Sequence, residues 1–255
     1  MKRTQLLLIA VFFCYYFPLD IRGESNTLYW YVAASISKVA KEAAEKFNAQ
    51  KKDFNVIVIA GGSGELISQI TLSGRGDLFT PASDDFLTII KDKSMVKRYV
   101  KLLEQTPVFG LAKKYKGKKL SFDELINGDY KIALGNPRTM AIALTFLSIE
   151  EKMPKEIVRK IREREKGCPL DINQSVSYLE INSVDAALIF DTVARANKLE
   201  YVEIPKQYNI DSYAYLAVLK SESSEKNTKE FIAFIFKNRQ IFDKYGYPLL
   251  GDSSQ

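Results

Sequence analysis

The chain has 255 residues, 46% hydrophobic and 27% charged, which excludes a disordered or fibrous class and allows one large domain or two small ones. It has no histidine and two cysteines, so histidine acid–base catalysis, Ser-His-Asp triads, histidine metal sites and Cys-x-x-Cys zinc sites are excluded. The net charge of +6 would suit an anionic partner, but acidic residues are interspersed with basic ones along the whole chain, as on a lysine-rich solvated surface.

Lys2 and Arg3 precede a twelve-residue apolar run, Leu6 to Phe17. That length suits the apolar region of a signal peptide and is short for a membrane span. Phe13 stands before Cys14 where a lipoprotein site wants a small residue, so residues 1–23 are read as a signal peptide cleaved near Gly23. An uncleaved membrane anchor is the alternative. Cleavage removes Lys2, Arg3, Arg22 and Asp20, which leaves a net charge of +4, and Cys168 is then the only cysteine, so no intrachain disulfide forms.

"TLYWYVA" (27–33) is aromatic and β-branched and reads as a buried strand. "SISKVAKEAAEKFNA" then sets Ile36, Val39, Ala40, Ala43, Ala44 and Phe47 on one helical face, with Ser35 expected as N-cap. "NVIVIA" is the next strand, and Ser63 begins a helix with Leu66, Ile67 and Ile70 inward. "DLFTPAS" is a short strand leading into a helix near Asp84 to Ile90. The strand "TPVFGLAKK" precedes the small helix "SFDELIN", and "KIALGNP" runs into a helix from about Thr139 to Ile149. "PKEIVRKIRERE" is a charged surface helix and "QSVSYLEI" a short one; "AALIFD" is a strand continued by the helix "VARANK". "YVEIP" and "SYAYLAVLK" are strands, and the tail is helical from Asn227 to about Tyr245, covering a sheet. This alternation argues for an α/β class with mainly parallel sheets flanked by helices. "TPVFGLAKK" and "SYAYLAVLK" look alike and bracket the middle of the chain, so they are the candidates for two crossover hinge strands.

One turn stands out. In "VIVIAGGSGELISQI" three glycines and a serine sit where a strand hands over to a helix, with no charge before Glu65. A helix N-terminus leaves N–H groups unpaired and carries positive partial charge, so it can hold an anion without a basic side chain. Glycines allow close backbone approach and a serine adds a neutral donor. The plain alternative is glycine turn chemistry at a helix cap. No Gly-Lys-Ser/Thr follows and no G-x-G-x-x-G is present, so neither nucleotide motif applies. The pattern recurs at Ala33-Ala34-Ser35, at Gly135-Asn136-Pro137-Arg138-Thr139 and at Asp171-Ile172-Asn173-Gln174. Four helix N-termini, two from each half, are thus expected to converge on one small dehydrated oxyanion.

Taken in order, "YVAASISKVAKEAAEKF", "GGSGELISQI", "GDLFTPAS", "GNPRTMAIA", "ALIFDTVA" and the closing "IFDKYGYP" make the chain resemble the periplasmic molybdate-binding proteins of ABC transporters, within the type II solute-binding superfamily. The resemblance spans almost the whole chain after residue 26. It implies a two-lobe fold, with lobe 1 formed by 27–107 plus 214–255 and lobe 2 by 108–213. It implies capture of a tetrahedral oxyanion, molybdate or tungstate first, between the lobes, and delivery to an ABC permease by an extracytoplasmic monomer. It implies no cofactor, no nucleic acid and no metal beyond the oxometalate itself. By position, the family's two serine hydroxyls fall at Ser35 and Ser63, its backbone amides at Ile142 (or Ala141) and Ile172, and its tyrosine at Phe190.

Two departures follow. Phe190 lacks a hydroxyl, which Thr192 or a water would have to replace, and Met140-Ala141-Ile142-Ala143 holds neither the family's proline nor its glycine. Sulfate, phosphate or another small anion stays open as ligand, and Arg138 is read as a solvated surface arginine, with pairing to an anion at the cleft rim as the alternative. An enzyme on the same fold is the rival class, with Asp84, Asp85 and Asp191 as the available acids. Arg75-Gly76-Asp77 reads as a turn into a strand rather than an adhesion signal, and Tyr29 and Tyr31 read as strand packing rather than a ferric site.

Overall fold

A computed structural model describes residues 26–51 and 53–251; the expected signal peptide, residues 1–23, lies outside the described residues. The strands form two five-stranded sheets. The first holds β1 (Thr27–Ala33), β2 (Asn55–Gly61), β3 (Leu78–Thr80), β4 (Val96–Gln105) and β10 (Ser212–Leu219), in the order β2-β1-β3-β10-β4. The second holds β5 (Pro107–Leu111), β6 (Ile132–Ala133), β7 (Glu165–Gly167), β8 (Ala186–Phe190) and β9 (Tyr201–Glu203), in the order β7-β6-β8-β5-β9. In each sheet four strands run one way and a single strand opposes them: β10 in the first and β5 in the second.

These two opposed strands are the look-alike segments of the sequence. Neither spans both sheets. The chain crosses at Thr106 and returns between Glu203 and Ser212, so β5 and β10 are each the first strand laid down after a crossing. Their likeness reflects an equivalent place in the two sheets, each directly after a crossing. The first crossing is tied down where Thr106 N–H donates to Asp191 Oδ1 (2.9 Å) and Asp191 N–H donates to Thr106 O (2.9 Å).

Helices α1 (Ser37–Asn48) and α9 (Glu225–Lys237) cover one face of the first sheet. Their apolar stripes meet over Trp30: Phe231 lies edge-on to Trp30 (5.3 Å) and to Phe47 (5.0 Å). All three rings are fully buried, and burying a side chain of this kind contributes roughly 1.5–3 kcal/mol. Trp30 Nε1–H donates to the buried Thr80 hydroxyl (2.8 Å), so the indole donor is satisfied. Short α10 (Gln240–Asp243) completes this layer. Between the sheets lies a second core, which joins Leu66, Phe79 and Phe86 of the first half to Phe109, Ile142 and Phe146 of the second without a break. Helices α2 (Ser63–Ser73), α3 (Asp84–Asp92) and α5 (Ala141–Lys152) meet there. The second sheet is flanked further by α4 (Phe122–Asn127), α6 (Lys155–Glu163), α7 (Ile172–Glu180) and α8 (Asp191–Ala196).

Strand β4 is absent from the elements expected above. Charged Lys97, Lys101 and Glu104 interrupt its apolar residues, because an edge strand buries only part of its surface. The Arg-Gly-Asp turn is structural: Asp77 is buried and accepts from Tyr29 N–H (2.8 Å) and from Ser223 N–H and Oγ–H. Among the described residues no helix is long and apolar enough to cross a membrane.

Candidate functional site

The expected helix N-termini converge. One small cavity between the sheets is lined by Ser35, Ser63, Ile142, Ile172 and Phe190, all five residues singled out above. Its floor and sides are short: Ala33, Ala34, Ala82 and the Gly61–Gly62 backbone. The cavity measures about 20 Å³. A near-spherical void of that size, with a water's radius added on every side, would admit a tetrahedral oxyanion.

Ser35 reaches the cavity by a route other than the expected N-cap. Ala34–Ile36 forms a single 3-10 turn before α1, whose N-cap is Ile36 and has no side-chain bond. Ser35 therefore sits inside the turn, and its hydroxyl is free of capping duty. Its Oγ is buried and has no hydrogen-bond partner among the described residues, a costly condition unless a ligand or a water supplies one. Its carbonyl accepts from the Tyr247 hydroxyl (2.7 Å), so the end of the chain holds this turn in place.

Ser63 opens α2 with Gly62 as N-cap. Its Oγ accepts from Ala82 N–H (3.3 Å), which leaves the hydroxyl proton available as a donor. On the opposite wall α5 opens at Ala141 after Met140, and α7 opens at Ile172 after Asp171. The altered Met140–Ala143 segment still delivers a helix N-terminus, without proline or glycine. Asp171 is the only charged lining residue, and its Oδ1 is engaged at its own helix, accepting from Asn173 N–H (2.7 Å) and Gln174 N–H (3.0 Å). No Lys or Arg side chain lines the cavity. Charge complementarity for any anion held here would have to come from backbone dipoles and two hydroxyls.

The glycines of the turn answer to the opposite wall. A Cβ on Gly62 would stand 2.8 Å from the Thr139 carbonyl oxygen, and one on Gly64 would stand 2.0 Å from that of Arg138. Gly64 N–H donates to Thr139 O (3.2 Å) across the gap. Two backbones thus touch where any side chain would hold them apart. The sequence reading assigned the glycines to the ligand; the structure gives them a second duty, contact between the halves.

One expectation is corrected. Thr192 does not replace the hydroxyl missing at Phe190: it is off the cavity wall, and its Oγ1 donates to Gln105 Oε1 (3.4 Å). Arg138 is exposed and does not line the cavity, in keeping with a solvated surface arginine. The sequence reading also passed over buried Gln105, whose Nε2 donates to Ala82 O (2.7 Å) and so steadies the loop that holds Ser63. A lone glutamine at a strand end gives no pattern to find it by.

The acids offered for catalysis are occupied elsewhere. Asp84 accepts from the Tyr215 hydroxyl and from Tyr213 N–H (3.3 Å). Asp85 accepts from the Thr145 hydroxyl (3.5 Å), and burial, then the neighbouring Asp84 charge, push its carboxyl above the usual range. Asp191 accepts from the N–H groups of Thr106 and Thr192 and pairs with Arg195 (2.5 Å). None of the three lines the cavity.

Residues 28–248 match the sequence pattern of bacterial extracellular solute-binding proteins. A putative ABC transporter substrate-binding lipoprotein of Bacillus subtilis, YvgL, is 27% identical over 227 residues, covering 84% of each chain. The periplasmic molybdate-binding protein of Azotobacter vinelandii superposes with a TM-score of 0.71 at 17% identity, covering 88% of this chain and 100% of that one. The sulfate-binding protein SubI of Mycobacterium tuberculosis superposes with a TM-score of 0.75 at 14% identity, covering 89% and 88%.

Proposed function

The chain belongs to the bacterial extracellular solute-binding proteins, and from that premise we propose that it captures a tetrahedral oxyanion between its two halves and delivers it to an ABC permease. Ser35 and Ser63 would donate through their hydroxyls, Ile142 and Ile172 through backbone N–H groups, and Phe190 would close the wall. The observation that carries this reading is the buried, partnerless Ser35 hydroxyl in a cavity of oxyanion size at four helix N-termini. Molybdate and tungstate lead, from the ordered motifs; sulfate and phosphate fit the same donors. Closure of lobe 1 (27–107 plus 214–255) on lobe 2 (108–213) would be the signal read by the permease, made by the Gly64–Thr139 contact. The protein would act outside the cytoplasm, as a monomer without cofactor and without catalysis.

A thermal-shift panel on the protein lacking residues 1–23, with molybdate, tungstate, sulfate and phosphate, tests this. An anion at about a thousand times its Kd should stabilise the fold by roughly 4 kcal/mol, several degrees in Tm. No response to any of these anions refutes the reading.

A further inference from the structure

Ser63 stands at the end of a longer series of hydrogen bonds. Its Oγ accepts from Ala82 N–H (3.3 Å), the Ala82 carbonyl accepts from Gln105 Nε2 (2.7 Å), and Gln105 Oε1 accepts from the Thr192 hydroxyl (3.4 Å). All four residues are buried, none more than 3% exposed, so each bond is strong and a missing one is costly. The direction of the series is fixed. A carbonyl can only accept, so the amide of Gln105 turns its nitrogen to Ala82 and its oxygen to Thr192. Both backbone polar groups of Ala82 are thereby held, one by Gln105 and one by Ser63. Every side-chain proton in the series is directed toward the cavity end, and that of Ser63 is left for what the cavity holds.

The series also crosses between the halves. Gln105 is the last residue of β4, directly before the chain crosses at Thr106, and Thr192 lies beyond that crossing in the first turn of α8, just after Phe190 of the cavity wall. Thr106 is bonded to Asp191 in both directions, so successive residues of the crossing hold successive residues of α8. Resting on the anion reading above, we propose that Gln105 is a positioning residue for the site: through Ala82 it sets where the Ser63 hydroxyl stands, and through Thr192 it ties that position to the opposite half. Gln105 does not line the cavity and touches nothing held in it. Packing gives no reason for an amide here, since an apolar side chain of the same length would fill the space without the desolvation cost that only directional bonds offset. The choice of partners is selective as well. Ser212 stands opposite Gln105 in strand register with a buried hydroxyl that has no partner among the described residues, yet the amide is bonded to Ala82 and Thr192 instead.

The test is a set of double-mutant cycles, read by calorimetric titration of the protein lacking residues 1–23 with molybdate, tungstate, sulfate and phosphate. Gln105→Met removes both amide bonds at nearly constant volume, Thr192→Val removes only the bond to the second half, and Ser212→Ala is the control beside Gln105 but outside the series. The expected result is that Gln105→Met weakens the bound anion about tenfold and Thr192→Val about threefold, while Ser212→Ala binds as the wild type does. Both losses should vanish when combined with Ser63→Ala and persist in full when combined with Ser35→Ala, because Ala82 is bonded to Ser63 alone of the two serines. A general loss of stability would weaken binding alike in both combinations, so this contrast separates positioning from mere structural support. If Gln105→Met does not fold, Thr192→Val carries the same cycles. Losses that add to Ser63→Ala as they add to Ser35→Ala, or anion binding indifferent to the substitutions at Gln105 and Thr192, overturn this proposal and leave the oxyanion reading standing. Silence of the unsubstituted protein to all four anions overturns both.

Discussion

Gly64→Ala separates contact between the two halves from every other role of the glycine-rich turn. The new methyl carbon would lie 2.0 Å from the Arg138 carbonyl oxygen and 3.1 Å from both the Arg138 carbonyl carbon and the Phe86 ring. The nearest of these atoms is backbone, so no rotamer change relieves the clash and the walls must part by more than an ångström. Overpacking of this kind costs about 1–3 kcal/mol, and loss of the Gly64 N–H bond to Thr139 O (3.2 Å) adds about 1 kcal/mol. Affinity for the bound anion should therefore fall by about 2–4 kcal/mol, roughly 30- to 1000-fold. The control lies in the same turn: a Cβ on Gly61 meets only the Glu65 carboxylate (3.2 Å) and the Leu66 side chain, both able to move. Gly61→Ala should bind within a few-fold of the wild type. Calorimetry on the two variants, with Tm as the check on folding, decides the matter. A Gly64→Ala protein that binds as tightly as Gly61→Ala would refute the reasoning.

Three further substitutions probe the cavity wall and the seam beside it. Ser35→Ala should weaken the anion by about 1.5–3 kcal/mol while leaving the unliganded Tm unchanged or higher, because the hydroxyl has no partner to lose; Ser63→Ala should lower both, since Ala82 N–H loses its acceptor. Equal Tm losses in the two would contradict the geometry. Asp85→Asn addresses pH. Burial, then the neighbouring Asp84 charge, raise its folded-state pKa, so ionising Asp85 opposes the folded form: wild-type stability from this group is present at low pH and lost as pH rises from the ordinary carboxyl value of 3.8 through the folded value. The asparagine variant should show a higher Tm near neutral pH, with the gain fading on acidification through the same window; a gain independent of pH would exclude this cause.

What the sequence discloses follows from how local each determinant is. Ser35, Ser63 and Ile172 are legible because each lies at a strand-to-helix turn, where a few neighbouring residues decide which N–H groups are exposed. The layers over Trp30 are legible for the same reason: the stripe of Val39, Ala43 and Phe47 is written at helical spacing. The partner of the glycines is not, since Gly62 and Gly64 meet the carbonyls of Arg138 and Thr139 from the other half of the chain. Strand β4 escapes notice because Lys97 and Lys101 face solvent at a sheet edge and break the apolar run. Thr192 is misjudged because its neighbour in sequence, Phe190, points to the cavity while its own hydroxyl turns to Gln105. The role of Gln105 depends on Ala82 and Thr192 meeting it from the two halves, an encounter that no short stretch announces.

The place of β10 between β3 and β4 has a consequence for how the molecule comes into being. All of the second sheet is made from one uninterrupted stretch, whereas the first waits for a strand that arrives only after that stretch is finished. Strand β4 has β10 as its only strand partner, so it stays unmatched throughout that wait. Assembly is therefore ordered in time: the second half can mature early, and the first matures last, when β10 slots in and Tyr247 locks the Ser35 turn. Nascent chains halted before β10 should hold one finished half and one sticky, incomplete one, and should have no competent site at all. Competence to bind would then wait for β10 and the Tyr247 contact, long after the second sheet is made.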